Sequence, residues 1–315
     1  MIVYGPVPSR RLGRSLGVNH VPPKACTYSC VYCQLGRTDR MMSERRAFYP
    51  PEEVFRHVEE RVKKAVEQNE PIDFVSFVPD GEPTLDVNLG KEIELLKPLG
   101  VKIAVISNSS LMWREDVRED LLDADWVSVK IDAATEKVWR SVNRPHGNLD
   151  LDAILAGVMA FADEYEGFLA SETMLIKGLN DREEARNVAE FLEELDPDKA
   201  YIAIPTRPPA ESWVQPADED AVNRAYQIFE GKLGEVECLI GYEGNAFAST
   251  GDVEADMLSI TSVHPMREEG VRNLLSREGA EWETIERLIR EEKLVELNYM
   301  GNKFYMRKIP SRTTL

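Results

Sequence analysis

From Glu52 to about Phe229, short β-branched runs alternate with longer amphipathic ones, and this alternation confines the chain to a parallel α/β fold. EEVFRHVEERVKKAV has apolar residues at helical spacing, DFVSFVP reads as a strand, LGKEIELLKPL as a helix and VKIAVIS as a strand again. WREDVREDLLDA then precedes DWVSVKID, LDAILAGVMAFADEY precedes GFLASETMLI, and REEARNVAEFLEEL precedes KAYIAIP. With a strand at SLGVNHV the pattern gives about six β/α units, too few for the eight of a closed barrel. The expectation is a partial (β/α)6, TIM-like barrel over residues 1–235, with residues 236–315 as a C-terminal extension.

The extension changes character. An irregular stretch, GYEGNAFASTGD, precedes two helical segments, MREEGVRNLLSREG and EWETIERLIREEK, and then LVELNYMGNKFYMRKI, read as a hairpin with a Gly-Asn turn. Two helices followed by a hairpin predict a small winged-helix module. A DNA-reading module would carry basic or amide side chains into the major groove. Here Val263 to Pro310 holds nine basic and nine acidic residues, so the expected partner is a protein or peptide docked on an edge strand, or the barrel itself beneath a structural cap.

The whole chain carries a formal charge of −18, which repels polyanions and disfavours nucleic-acid binding. Arg10, Arg11 and Arg14 in PSRRLGR form a local basic exception, suited to ion pairs or to a ligand's phosphate or carboxylate. No apolar run approaches the roughly 18 residues of a membrane span, and the N-terminus lacks the apolar centre of a secretory signal. A cytoplasmic location is expected.

Three of the four cysteines fall within eight residues: Cys26, Cys30 and Cys33, in KACTYSCVYCQLG. Thiols this crowded do not suit a disulfide framework, but they do suit a metal centre in a reducing compartment. The spacing C-x-x-x-C-x-x-C lets a short loop wrap one inorganic centre and leaves a coordination position open. In a 4Fe–4S cluster one iron is then free to bind a small molecule. The other reading is a closed zinc site with His20 as fourth ligand. Cys238 stands alone and reads as a small buried hydrophobe.

This spacing, with Tyr32 directly before the third cysteine, resembles the signature of the radical S-adenosylmethionine superfamily. PSRRLGRSLGVNHVPPKACTYSCVYCQLGRT is similar to the opening of an archaeal and bacterial group of iron–sulfur oxidoreductase-like members near the wyosine-synthesis proteins. The resemblance implies one 4Fe–4S cluster on Cys26, Cys30 and Cys33, S-adenosylmethionine on the open iron and an external one-electron donor. It also implies a 5′-deoxyadenosyl radical that abstracts hydrogen from a tRNA nucleoside or a protein or peptide side chain. The wyosine enzymes carry a second cluster, for which this chain lacks the cysteines. The alternative function is a noncatalytic iron–sulfur or zinc protein with a regulatory winged helix.

The resemblance also assigns cofactor-binding roles at the strand ends. Asp80-Gly81-Glu82-Pro83 stands where the superfamily's Gly-Gly-Glu receives the methionine amino group; Gly81 allows close backbone approach and Glu82 supplies an anion, although a plain turn would use the same residues. Ser107 and Asn108 stand where the carboxylate or ribose is contacted, or cap the next helix. Lys130 and Asp132 point to one face at a strand end, toward cofactor or toward each other. Arg144 offers a fork for a carboxylate, and Met174 and Ile204 pack near adenine. His146, Lys177, Arg207 and Trp213 are weaker substrate candidates, and Asn180 and Asp181 read as caps of the following helix.

Overall fold

The computed structural model describes residues 2–240, 252–263 and 265–308, which leaves all of GYEGNAFASTGD except Asp252 outside the described residues. Strand β1 (Val3–Ser9) turns back into β2 (Gly13–Val18), and the loop after β2 carries two short paired strands, β3 (Ala25–Cys26) and β4 (Arg40–Met41). Helix α1 (Pro51–Glu67) leads to β5 (Phe74–Phe77), α2 (Leu89–Leu96) to β6 (Lys102–Ser107) and α3 (Glu115–Leu121) to β7 (Trp126–Lys130). Helices α4 (Glu136–Val142) and α5 (Leu151–Glu164) lead to β8 (Phe168–Met174), α6 (Glu183–Leu195) to β9 (Lys199–Ala203) and α7 (Glu219–Glu230) to β10 (Val236–Leu239).

The strands form one sheet in the order β1-β2-β5-β6-β7-β8-β9-β10, parallel from β2 onward and curled into a half-barrel. All six strands expected from the hydrophobic alternation are present. Two more extend the sheet. β10 pairs parallel to β9, so the sheet runs past residue 235, where the barrel was expected to end. β1 pairs antiparallel to β2 at the edge, where Pro6 and Pro8 cost no ladder hydrogen bonds on the open side.

Parallel strands are buried on both faces, which explains their near-continuous apolar character. Outward residues such as Val75, Phe77, Val105 and Val127 pack under the helices. Inward residues Ala104, Trp126, Ala170, Tyr201 and Ala203 form a second cluster, into which the β1–β2 turn inserts Leu12. That turn also ties the ends of the open sheet together, since Arg10 Nη1 donates to the Leu239 carbonyl at 2.5 Å. Short acidic caps start three of the helices: Asp150 accepts from Ala153 N at 2.9 Å, Asp218 from Ala221 N at 3.0 Å and Asp252 from Ala255 N at 3.0 Å.

The C-terminal part runs α8 (Val253–Val263), β11 (Met266–Arg267), α9 (Glu268–Glu278), α10 (Glu283–Arg290), β12 (Leu294–Tyr299) and β13 (Asn302–Arg307). Its sheet is antiparallel in the order β11-β13-β12. Helix α8 was not legible as a separate element. The hairpin turn is Met300–Gly301 rather than Gly-Asn: both residues have positive φ, 47° and 74°, and Asn302 already pairs with Tyr299. Tyr4 and Val7 of β1 are buried with Met257, Leu274 and Ile285, so this part covers the sheet's first edge. Tyr299 Oη donates to the Pro205 carbonyl at 2.9 Å, tying β12 to the loop after β9. Among the described residues no helix is long and apolar enough to cross a membrane.

Candidate active site

The cysteine loop follows β2 and is held from outside by the segment after α4. Ser29 N donates to the Asn143 carbonyl at 3.0 Å, Val31 N to Val142 at 2.9 Å, and the buried Tyr28 hydroxyl accepts from Trp139 Nε1 at 3.1 Å. Cys26, Cys30 and Cys33 all line one cavity of about 280 Å³ at the carboxyl ends of the strands. Two of the sulfurs face amide donors: Asn108 Nδ2 lies 3.5 Å from Cys26 Sγ, and Asn143 Nδ2 lies 3.4 Å from Cys30 Sγ. Burial pushes the Cys30 thiol up to about 12, with the charge of Asp132 adding to it, and raises Cys26 and Cys33 as well. Thiolates here therefore need a cation to compensate them.

The turn after β5 meets this loop directly. Glu82 N donates to the Ala25 carbonyl at 2.9 Å, and a Cβ on Gly81 would sit 2.0 Å from that same oxygen. Gly81 is thus required by the approach of two protein backbones, besides lining the cavity. The Glu82 carboxylate is buried and held by four hydrogen bonds. Its Oε1 accepts from Thr84 N at 3.1 Å, Thr84 Oγ1 at 2.7 Å and Ser107 Oγ at 2.7 Å, and its Oε2 accepts from Asn108 N at 2.8 Å. Burial raises its pKa and these donors pull it back. Ser107 and Asn108 therefore orient Glu82, and neither caps α3, whose N-cap residue is Arg114, with no side-chain cap hydrogen bond. Asp80 and Asn19 exchange two hydrogen bonds of 2.9 Å each, which fixes the start of the turn to the end of β2.

Lys130 and Asp132 belong to a larger charge network. Lys130 Nζ lies 2.8 Å from Glu172 Oε1, 3.7 Å from Asp132 Oδ1 and 5.0 Å from the centre of the Tyr32 ring. Glu172 also pairs with Arg11. Burial lowers the Lys130 pKa while Asp132 raises it. Asp132 accepts from the Tyr32 hydroxyl, from Asn143 Nδ2 at 2.7 Å and from Met174 N at 2.9 Å. It stands behind Tyr32 and Asn143, whereas Tyr32, Lys130, Glu172, Met174 and Ile204 line the cavity.

The remaining candidates divide by position. Arg207 lines the cavity and donates to Gln34 Oε1 at 2.6 Å. Arg144 instead pairs with Glu211, which also receives Arg37 Nε and Nη2 at 2.8 Å each, and the two guanidinium groups hold Glu211 down to about 2. Trp213 is exposed, Lys177 pairs with Asp218 at 3.4 Å, and His146 accepts from Asn148 N at 3.2 Å; none of the three lines the cavity. Asn180 and Asp181 do not cap α6. Asn180 staples Ile176 N and the Asp132 and Met174 carbonyls at 2.8 Å each, and Asp181 accepts from Gly178 N at 3.0 Å. Cys238 is half-buried on β10 at the margin of the outer core.

The closed zinc reading needs His20 beside the three cysteines. Among the described residues, the one group of three His, Cys, Asp or Glu side chains whose ligand atoms all fall within 4.8 Å of one another is His20, Asp86 and Glu92. No cysteine belongs to that group. His20 is engaged elsewhere: it is buried, stacks edge-on against Phe77 and has Nε2 3.1 Å from the Pro83 carbonyl. His20 therefore stands with two carboxylates and not with the cysteines.

A family model described as the radical SAM superfamily matches residues 21–192, more than half of the chain. The chain belongs to the radical SAM superfamily. It is a radical SAM enzyme, and its relatives extend the likeness over its full length. It is 49% identical over 314 residues to the UPF0026 protein MJ1312 of Methanocaldococcus jannaschii, covering 99% of this chain and 97% of the relative. It is 35% identical over 208 residues to the UPF0026 protein slr1464 of Synechocystis, covering 65% of this chain and 76% of that protein. Among solved structures, TYW1 with a lysine-pyruvate adduct bound shares the fold at a TM-score of 0.52 and 18% identity, over 70% of this chain and 74% of that one. A radical SAM methyltransferase from Sphaerobacter thermophilus does so at 0.53 and 16% identity, over 72% and 66%.

In this radical SAM chain, sequence reasoning missed Glu172 and Asn143. Glu172 carried a legible signal: an acidic residue inside an otherwise apolar strand, which the register sets beside Lys130. Asn143 carried none, because its place beside Cys30 depends on how α4 ends against the cysteine loop.

Proposed function

We propose that this enzyme holds one 4Fe–4S cluster through Cys26, Cys30 and Cys33, binds S-adenosylmethionine beside it, and takes hydrogen from a substrate by a radical route. The observation that carries the reading is that three cysteines open on the same cavity as the buried Glu82. When bound and reduced by an external one-electron donor, the cluster and its cofactor supply the 5′-deoxyadenosyl radical.

The chain's own residues orient what binds. Glu82 Oε2 accepts only one protein hydrogen bond, which leaves acceptor capacity for an ammonium group. Lys130 offers a positive charge for a carboxylate, held in place by Glu172. Met174 and Ile204 give an apolar wall suited to adenine. Asp132 and Arg144 act by positioning, the first through Tyr32 and Asn143 and the second through Glu211.

The substrate class is a tRNA nucleoside or a protein or peptide side chain, with wyosine-type chemistry disfavoured because Cys238 alone cannot hold a second cluster. The order α8-β11-α9-α10-β12-β13 supports a winged-helix reading of the C-terminal module. Its balanced charge favours a protein or peptide partner over DNA. Clustered thiols fit a reducing cytoplasm.

Anaerobic reconstitution should yield about four iron and four sulfide per chain. Reduction with dithionite in the presence of S-adenosylmethionine should then release 5′-deoxyadenosine. Cys30→Ala should lose both the iron and the cleavage. Bound zinc without labile sulfide, or full iron content in Cys30→Ala, overturns the reading.

A further inference from the structure

Behind the turn that carries Glu82 lies a second group of metal-ligating side chains, away from the cysteines. His20 follows β2, Asp86 ends the short turn Pro83–Leu85, and Glu92 sits in the first turn of α2. A ring nitrogen of His20 and one carboxylate oxygen from each acid lie within 4.8 Å of one another. All three residues are sealed from solvent, with exposures of 0%, 0% and 1%.

Four of their six side-chain polar atoms are left without protein partners, while His20 Nε2 meets the Pro83 carbonyl at 3.1 Å and Asp86 Oδ1 accepts from Asn88 N at 2.9 Å. His20 Nδ1, Asp86 Oδ2 and both oxygens of Glu92 make no hydrogen bond. Buried polar atoms are almost always paired, and buried carboxylates need a cation or a proton. Arg45, which reaches the Asp86 backbone, does not serve them. Arg45 donates to the Asp86 backbone carbonyl at 2.7 Å and to Asp116 at 2.8 Å, and pairs with Asp120. Its charge is spent on those two outer carboxylates.

We propose that His20, Asp86 and Glu92 form a site for one divalent first-row cation, independent of the cysteine cluster. One imidazole and two carboxylates suit zinc or manganese. Ligand atoms around such an ion sit about 3.4 Å apart at bond lengths of about 2.0–2.2 Å, so loading closes the group by up to about 1.4 Å, within reach of side-chain rotation. The ion clamps the end of β2 to Asp86, and Glu82 starts the turn that Asp86 closes. Its role is to fix the turn whose first carboxylate lines the active-site cavity.

The test uses the full-length protein with its iron–sulfur centre reconstituted, stripped with a chelator, incubated with zinc sulfate and passed through a desalting column. Metal analysis should find about one zinc per chain beside unchanged iron, and a thermal midpoint raised by roughly 3 °C or more. A parallel arm with manganese chloride should give the same dependence on residues. Glu92→Gln, which keeps the side chain's shape, should lower retained zinc at least tenfold while leaving iron content unchanged. His20→Gln should do the same. The triple variant Cys26→Ser, Cys30→Ser, Cys33→Ser should keep the zinc. Zinc below a tenth of an atom per wild-type chain overturns the proposal, as does equal zinc in Glu92→Gln or its loss from the serine variant. A Glu92→Gln chain as stable as the wild type, with neither form retaining zinc, identifies the pair as carboxyls sharing a proton.

Discussion

Replacing Gly81 by alanine should loosen the cysteine loop without touching a cysteine. The added Cβ would sit 2.0 Å from the Ala25 carbonyl oxygen, where ordinary contact begins at 3.4 Å, so two backbone segments must part by about 1.4 Å. Neither can yield by rotating a side chain. Overpacking of this kind costs about 1–3 kcal/mol, and the Glu82 N to Ala25 hydrogen bond, 2.9 Å long, is lost with it for about another 1 kcal/mol. A total of about 2–4 kcal/mol lowers the urea midpoint by roughly 1 M and the thermal midpoint by roughly 3–6 °C. Urea unfolding of the two proteins, followed by fluorescence, measures the difference, and iron retained after desalting should fall in parallel. Gly147→Ala is the control, since no atom lies within 4 Å of a Cβ there, and it should stay within about 0.5 kcal/mol of wild type. A Gly81→Ala chain with wild-type stability and iron content would refute the argument from close approach.

The remaining expectations concern buried charge. Burial pushes the Asp80 carboxyl from 3.8 up to about 6, so the fold favours the protonated acid. That contribution is complete below pH 3.8 and is lost as pH rises through about 6. Asp80→Asn should flatten this part of the pH–stability curve and gain up to about 3 kcal/mol at pH 8, as measured by urea titrations at several pH values. Glu172→Gln removes the carboxylate that faces both Lys130 and Arg11 and should cost about 3–5 kcal/mol, whereas Lys130→Met leaves Glu172 with Arg11 and should cost less than about half of that. Equal urea midpoints for these two variants would contradict the shared-partner reading of Glu172.

How much was legible depended on how local each signal was. The six central strands could be read because each is a short apolar run closed by an amphipathic helix, and burial on both faces imposes that pattern residue by residue. β1 was hidden by Pro6 and Pro8, which only an edge strand tolerates, and being an edge strand is a property of the finished sheet. In the site, the cysteine spacing and the Gly81-Glu82 turn stood out in sequence. The functions of Asp132 and Arg144 did not, because each is set by a partner far along the chain: Tyr32 at a separation of 100 residues and Glu211 at 67.

Sequence alone determined the superfamily signature, the parallel α/β architecture and the three thiols, since all of these rest on periodicity or on neighbours within a few residues. The tertiary structure decided which charges meet. It placed Glu172 between Lys130 and Arg11, gave Glu82 its four donors, and brought His20, Asp86 and Glu92 from three elements into one sealed pocket. Burial raises the cost of an unpaired polar atom, so the chemistry of these groups follows from the partners that folding supplies.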